Sequence, residues 1–144
     1  MGLDAVVYRN IDTLAPRLRE LVRITDPATG ELEFISQGPP NPNYNDDLLS
    51  VSIRIGNSAL VDWLREEIAS RWNGGCETLL NAVLYSGSHS GDFIELDGVA
   101  RIRREVGQID LAEKSLPENL IEFFEVIRLL LDAAEAEKNP IAFV

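Results

Sequence analysis

One cysteine, Cys76, and one histidine, His89, stand in a chain of 144 residues. A single cysteine excludes an internal disulfide and a cysteine-based zinc site, so a reducing compartment is expected. A single histidine leaves the common zinc and iron ligand sets short of imidazole. No apolar run approaches the ~20 residues of a membrane span. The opening Met-Gly-Leu-Asp has neither the basic nor the apolar segment of a signal peptide. A cytoplasmic protein with no membrane partner is therefore expected. Positive charge is also scarce, with 13 Lys and Arg against 24 Asp and Glu, a net charge of −11 and a pI near 4.4. Such a surface repels phosphate backbones, which argues against nucleic acid as a partner. Glycine fingerprints and repeats are absent, and no cofactor is expected.

What is present is ordinary globular composition, 45% hydrophobic and 26% charged, at a length that suits one domain with a sizeable core. The acid is uneven. From Glu105 onward there are nine Asp or Glu and three Lys or Arg, a balance of −6. A field of that sign confers solubility, and it also steers a basic partner.

Hydrophobic periodicity divides the chain. Leu3 to Tyr8 reads as a largely buried strand. Leu14, Leu18, Leu21 and Val22 recur at helical spacing, with Pro16 in the first turn and Thr13 or Asp12 as the cap. Asp26-Pro-Ala-Thr-Gly30 is a turn with glycine at its left-handed position. Glu31 to Ser36 suits a short strand, and the proline-rich stretch from Gln37 to Asp47 suits an exposed, mobile loop. Leu49 to Ile55 alternates cleanly, with Leu49, Val51, Ile53 and Ile55 on one face, and is the expected central strand.

Gly56-Asn-Ser58 then caps a helix that turns Leu60, Val61, Leu64 and Ile68 inward and stops near Trp72 before Asn73-Gly-Gly75. Cys76 to Leu84 continues at helical spacing. Asp97 is the expected cap of a helix with Val99, Ile102, Val106 and Ile109 inward and Glu105 outward. Ser115-Leu-Pro-Glu118 has the form of a capping box. The helix it opens turns Ile121, Phe124, Ile127, Leu130, Leu131 and Ala134 inward. Ile141 to Val144 closes the chain as a strand. These elements predict an α+β fold, a single domain with a small, mainly antiparallel sheet of about four strands covered by four to five helices.

Chemistry-bearing residues concentrate in one loop, Tyr85, Ser86, Gly87, Ser88, His89, Ser90, Gly91 and Asp92. Its serines, histidine and aspartate are the residue types of a hydrolytic relay. Triads, however, draw their members from separated segments, and the glycines here are too far apart for a nucleophile elbow. Cys76 at a helix start, with His89 as base, is a second arrangement. Glu77 beside it opposes ionisation, and lone cysteines usually pack. A third is a metal site from His89, Asp92 and Glu95, which a lone histidine makes poor. The remaining reading is a structural or binding loop, with the imidazole packed inside or turned outward to a partner and Asp92 bonded to loop amides. Tyr44, Trp63 and Trp72 are candidate contact residues, since aromatics concentrate at interfaces.

Three segments, Met1-Gly-Leu-Asp4, Ser52-Ile-Arg-Ile-Gly-Asn57 and Leu84-Tyr-Ser-Gly-Ser-His-Ser-Gly-Asp92, resemble a family of small, mostly uncharacterised bacterial proteins associated with immunity proteins of polymorphic toxin systems. The resemblance implies a binding protein that neutralises one cognate toxin, such as a basic toxin domain, and it carries over no catalytic residue. The alternative is a small hydrolase-like enzyme using the Ser86–Asp92 loop or Cys76 with His89.

Overall fold

A computed structural model describes residues 2–35, 47–113 and 115–144. Four antiparallel strands form the main sheet: β1 (Gly2–Tyr8), β4 (Leu49–Asn57), β5 (Phe93–Ile94) and β6 (Ile141–Phe143), in the order β4-β1-β6-β5. Strands β2 (Val22–Asp26) and β3 (Glu31–Phe34) make a separate hairpin. Five α-helices have bounds within the described residues: α1 (Pro16–Arg19), α2 (Ser58–Arg71), α3 (Glu77–Ala82), α4 (Leu96–Gly107) and α5 (Glu118–Glu137). The fold is α+β, as the sequence pattern predicts.

Strand β1 is central because it is apolar on both faces. Leu3, Ala5 and Val7 enter the main core with α2 to α5, while Val6 and Tyr8 join Leu49 and Ala142 in a second cluster. A third cluster, Leu14, Val22, Leu32 and Leu48, lies beneath the hairpin. Among the described residues no helix is long and apolar enough to cross a membrane.

Several expectations are corrected. Strand β4 lies at the sheet edge rather than the centre. Register shifts in its pairing set Leu49 opposite Tyr8 and Val51 opposite Val7, so Leu49 joins the far-face cluster instead of following Val51. The helix through Val22 is one turn only, with N-cap Ala15 and no side-chain cap. Val22 instead starts a strand paired with Phe34, because Asp26 to Gly30 turns the chain back on itself. The turn itself forms as expected, with Gly30 at φ +79°.

Asn57 caps α2 through Leu60 N–H at 2.8 Å. Like Thr13 or Asp12 before α1, two later residues do not form the caps expected of them. Asp97 lies inside the first turn of α4, and Pro117 is the N-cap of α5 while the Ser115 hydroxyl donates to Glu113. The α5 core stripe is Leu120, Phe123, Phe124, Ile127, Leu130, Leu131 and Ala134, with Ile121 only half-buried. Tyr44, and the proline-rich stretch except Asp47, fall outside the described residues.

Candidate functional site

The loop from Tyr85 to Asp92 leaves the C-terminal end of α3 and runs into β5. It is bonded to strand β6: Gly91 N–H donates to the Phe143 carbonyl at 2.9 Å, and Phe143 N–H donates to the Asp92 carbonyl at 2.9 Å. Arg65 on α2 holds the other end, donating to the Leu84 carbonyl at 3.1 Å while paired with Asp62. Two glycines are required by position. A β-carbon at Gly87 would sit 2.8 Å from the Ser58 backbone, and Gly91 has φ +98°.

His89 is the buried centre of this loop, its side chain 5% exposed. The ring stacks on Tyr85 at 4.5 Å and packs against Phe143 at 4.2 Å. Nε2 lies 2.8 Å from the Val83 carbonyl oxygen, which can only accept, so this nitrogen carries the proton. Nδ1 is buried without a hydrogen-bond partner. It stands 3.3 Å from Asp92 Oδ2, within ion-pair distance but off the hydrogen-bonding direction. Asp92 also accepts from the Tyr85 hydroxyl.

The outward-facing imidazole is thus corrected, and so is the role expected of Asp92. Its carboxylate bonds a tyrosine rather than loop amides, because Gly91 N–H is taken by β6 and the Asp92 N–H by the His89 carbonyl at 3.1 Å.

The loop serines do not assemble a relay. Ser86 Oγ donates to the Ser88 carbonyl at 3.0 Å, and among the described residues no hydroxyl bonds the imidazole. Cys76 is 1% exposed at the start of α3. Burial first, and then the charge of Glu105, push its thiol up to about 11, the reverse of what a thiolate nucleophile needs. The carboxylate responsible is Glu105 rather than Glu77. It turns inward from α4 and accepts the Thr78 and Leu79 N–H groups, both at 2.9 Å. Among the described residues, no group of three or more His, Cys, Asp or Glu is arranged to hold a metal ion.

Trp63 and Trp72 are half-buried at the margin of the main core, Trp72 edge-on to Phe124 at 5.6 Å. Tyr85 is 46% exposed.

Sequence reasoning missed a cleft of about 250 Å³ beside the loop. Ser90 and Asp92 form one wall, and Asp26, Thr29 and Glu31 of the β2–β3 turn form the other, over Tyr8, Ala142, Phe143 and Val144. The turn is seated by Gly30, where a β-carbon would strike Asn139, whose Nδ2 donates to the Tyr8 carbonyl at 2.8 Å. Some sixty positions separate Glu31 from Asp92, so no local motif could have signalled the pairing of these walls.

Comparison of the chain with protein-family models, with curated proteins and with solved structures finds no match.

Proposed function

We propose that this protein is an intracellular binding protein that neutralises a basic partner, in the manner of an immunity protein covering a cognate toxin domain. The observation that carries the reading is the concentration of unpaired acid on an ordered surface. Glu118, Glu122 and Glu125 stand exposed along α5 without a salt bridge among the described residues, and Asp132 and Glu135 share the single guanidinium of Arg103. Surface carboxylates held on a rigid helix accelerate encounter with a cationic partner and reject anionic ones. Leu129, 54% exposed in the midst of this acid, offers an apolar contact of the kind an interface core uses.

The hydrolase-like alternative has less to support it. The one thiol is buried and its ionisation suppressed, and the one imidazole is occupied by Val83 and enclosed by Tyr85 and Phe143.

The test is affinity capture with the tagged protein from the native host, followed by co-expression of the captured protein with and without this chain. Recovery of a basic protein that arrests growth alone and is tolerated when co-expressed supports the proposal. Capture of acidic or neutral proteins only, or toxicity that this chain does not relieve, overturns it.

A further inference from the structure

The two edges of the main sheet are finished differently. At one end β5 has only two residues, a length that leaves little to pair with. At the other, β4 has nine, against a usual strand of ~5–6. It contains no proline and no lysine, and its one charge, Arg54, is paired with Asp4 at 3.4 Å. Both register shifts fall outside residues 51–54, so the middle of this edge carries none of the usual devices that block pairing.

The direction of its free backbone groups follows from bonds elsewhere in the sheet. Val144 N–H donates to the Asp4 carbonyl at 3.0 Å, so Asp4 turns its backbone toward β6. Successive residues of a strand turn theirs to opposite sides, so Ala5 and Val7 face β4 and bond Ile53 and Val51. Ser50, Ser52 and Arg54 therefore direct N–H and C=O away from the sheet, and all three are exposed. Among the described residues nothing bonds these outward groups.

On the opposite face of the strand from these three side chains, Val51 and Ile53 are only half-buried against the main core. Further along that face is a groove of about 120 Å³, floored by Ile55, Leu60, Leu64, Phe123 and Val126. It has room for an aliphatic side chain and is well below the ~300–1,000 Å³ of a small-molecule site. Glu122 stands at its rim, flanked along α5 by Glu118 and Glu125.

We propose that β4 is the docking edge for an extended, basic segment of a protein partner, which joins the sheet as a further antiparallel strand. Its backbone pairs with Ser50, Ser52 and Arg54, an aliphatic side chain enters the groove, and a lysine or arginine on the same face meets Glu122. Charge selects this occupant over a second copy. A twofold pairing of β4 with itself would set both α5 helices on one face of the joined sheet, acid toward acid, in molecules of net charge −11 each. A basic strand meets attraction at the same place. The inference rests on the basic-partner reading and adds the place and mode of contact.

The test is an amide NMR titration of the full chain with the capped peptide Lys-Thr-Val-Thr-Val-Thr-Lys. Two controls accompany it, one N-methylated at its threonines and one with glutamate for lysine. Saturable shifts at Ser50, Ser52 and Arg54, with slowed hydrogen exchange of their amides, are expected with the first peptide. The N-methylated peptide should not bind, and the glutamate peptide should bind more weakly. Ser52→Pro, which removes only an outward N–H, should abolish binding, while Ser52→Ala should not. Glu122→Gln should weaken it about fivefold, the upper range for one exposed ion pair.

Shifts centred away from β4, or equal binding of either control peptide, overturn the proposal. A folded Ser52→Pro variant that binds like wild type does the same, and if that variant unfolds the N-methylated peptide decides. A dimer in sedimentation that Ser52→Pro disrupts assigns the edge to a second copy and also overturns it. The two proposals fail separately. A captured basic partner that binds Ser52→Pro as tightly as wild type removes the added strand and leaves the neutraliser. Peptide binding at β4 in a protein that captures no basic partner does the reverse.

Discussion

At the residue scale the most informative position is His89. The only imidazole in the chain is enclosed by Tyr85 and Phe143 and bonded to Val83, so it works as a structural pin between α3 and β6. His89→Ala should lose roughly 2–3 kcal/mol in urea denaturation, combining a lost hydrogen bond with an unfilled ring site. Ser88→Ala in the same loop should change stability by less than about 0.5 kcal/mol. Equal effects of the two substitutions would contradict the pin.

Cys76 makes a pH prediction. Its folded thiol ionises near pH 11 and the unfolded one near 9. Between these values the unfolded chain binds fewer protons than the folded one, so stability falls as pH rises and is untouched below that window. A rise of this size is worth about 2–3 kcal/mol. The stability gap between wild type and Cys76→Ala, measured by denaturation from pH 7 to 11, should therefore shift against wild type only above about pH 9. A gap that stays constant would mean the thiol is not suppressed.

At the element scale, α3 is six residues long and starts without a side-chain cap of its own. A helix that short is marginal by itself. Glu105 reaches from α4 to accept two of its orphan amides, which makes one helix the cap of another. Glu105→Ala should cost about 1–2 kcal/mol in thermal or urea denaturation, and Glu105→Gln, which keeps one acceptor, should cost less. The same change should let Cys76 ionise at lower pH, while burial still keeps it above an ordinary thiol. No loss of stability with Glu105→Ala would show that the cap is dispensable.

At the scale of the whole molecule, net charge and its placement set how the protein meets others. If α5 faces a basic partner, association should slow steeply as ionic strength rises from about 0.05 to 0.5 M, while dissociation changes less. Stopped-flow or surface-binding kinetics on the captured complex would show it. An association rate indifferent to salt would leave the acid as a solubility device.

The sequence by itself determined the features that follow from local pattern and turn chemistry. Strand β1 was legible from its apolar run Ala5 to Tyr8, α2 from its stripe and Asn57 cap, and the Asp26–Gly30 turn from proline and glycine at their characteristic positions. The α5 core face was legible too, to within one position of phase. The importance of the Ser86–Asp92 loop was visible as composition, while its geometry was not.

Only the tertiary structure decided that β4 is an edge, since an alternating strand reads alike at edge and centre. It also decided that Leu49 changes face, through a shift in register with a strand some forty residues away. Glu105 resembles any solvated helix charge until α3 presents unpaired amides to it. The cleft needs Asp26 and Glu31 brought to Asp92, and His89 needs Phe143. Contacts between residues far apart in the chain carry no periodic signal, because periodicity records which face of one element is wet and is silent about what that face meets.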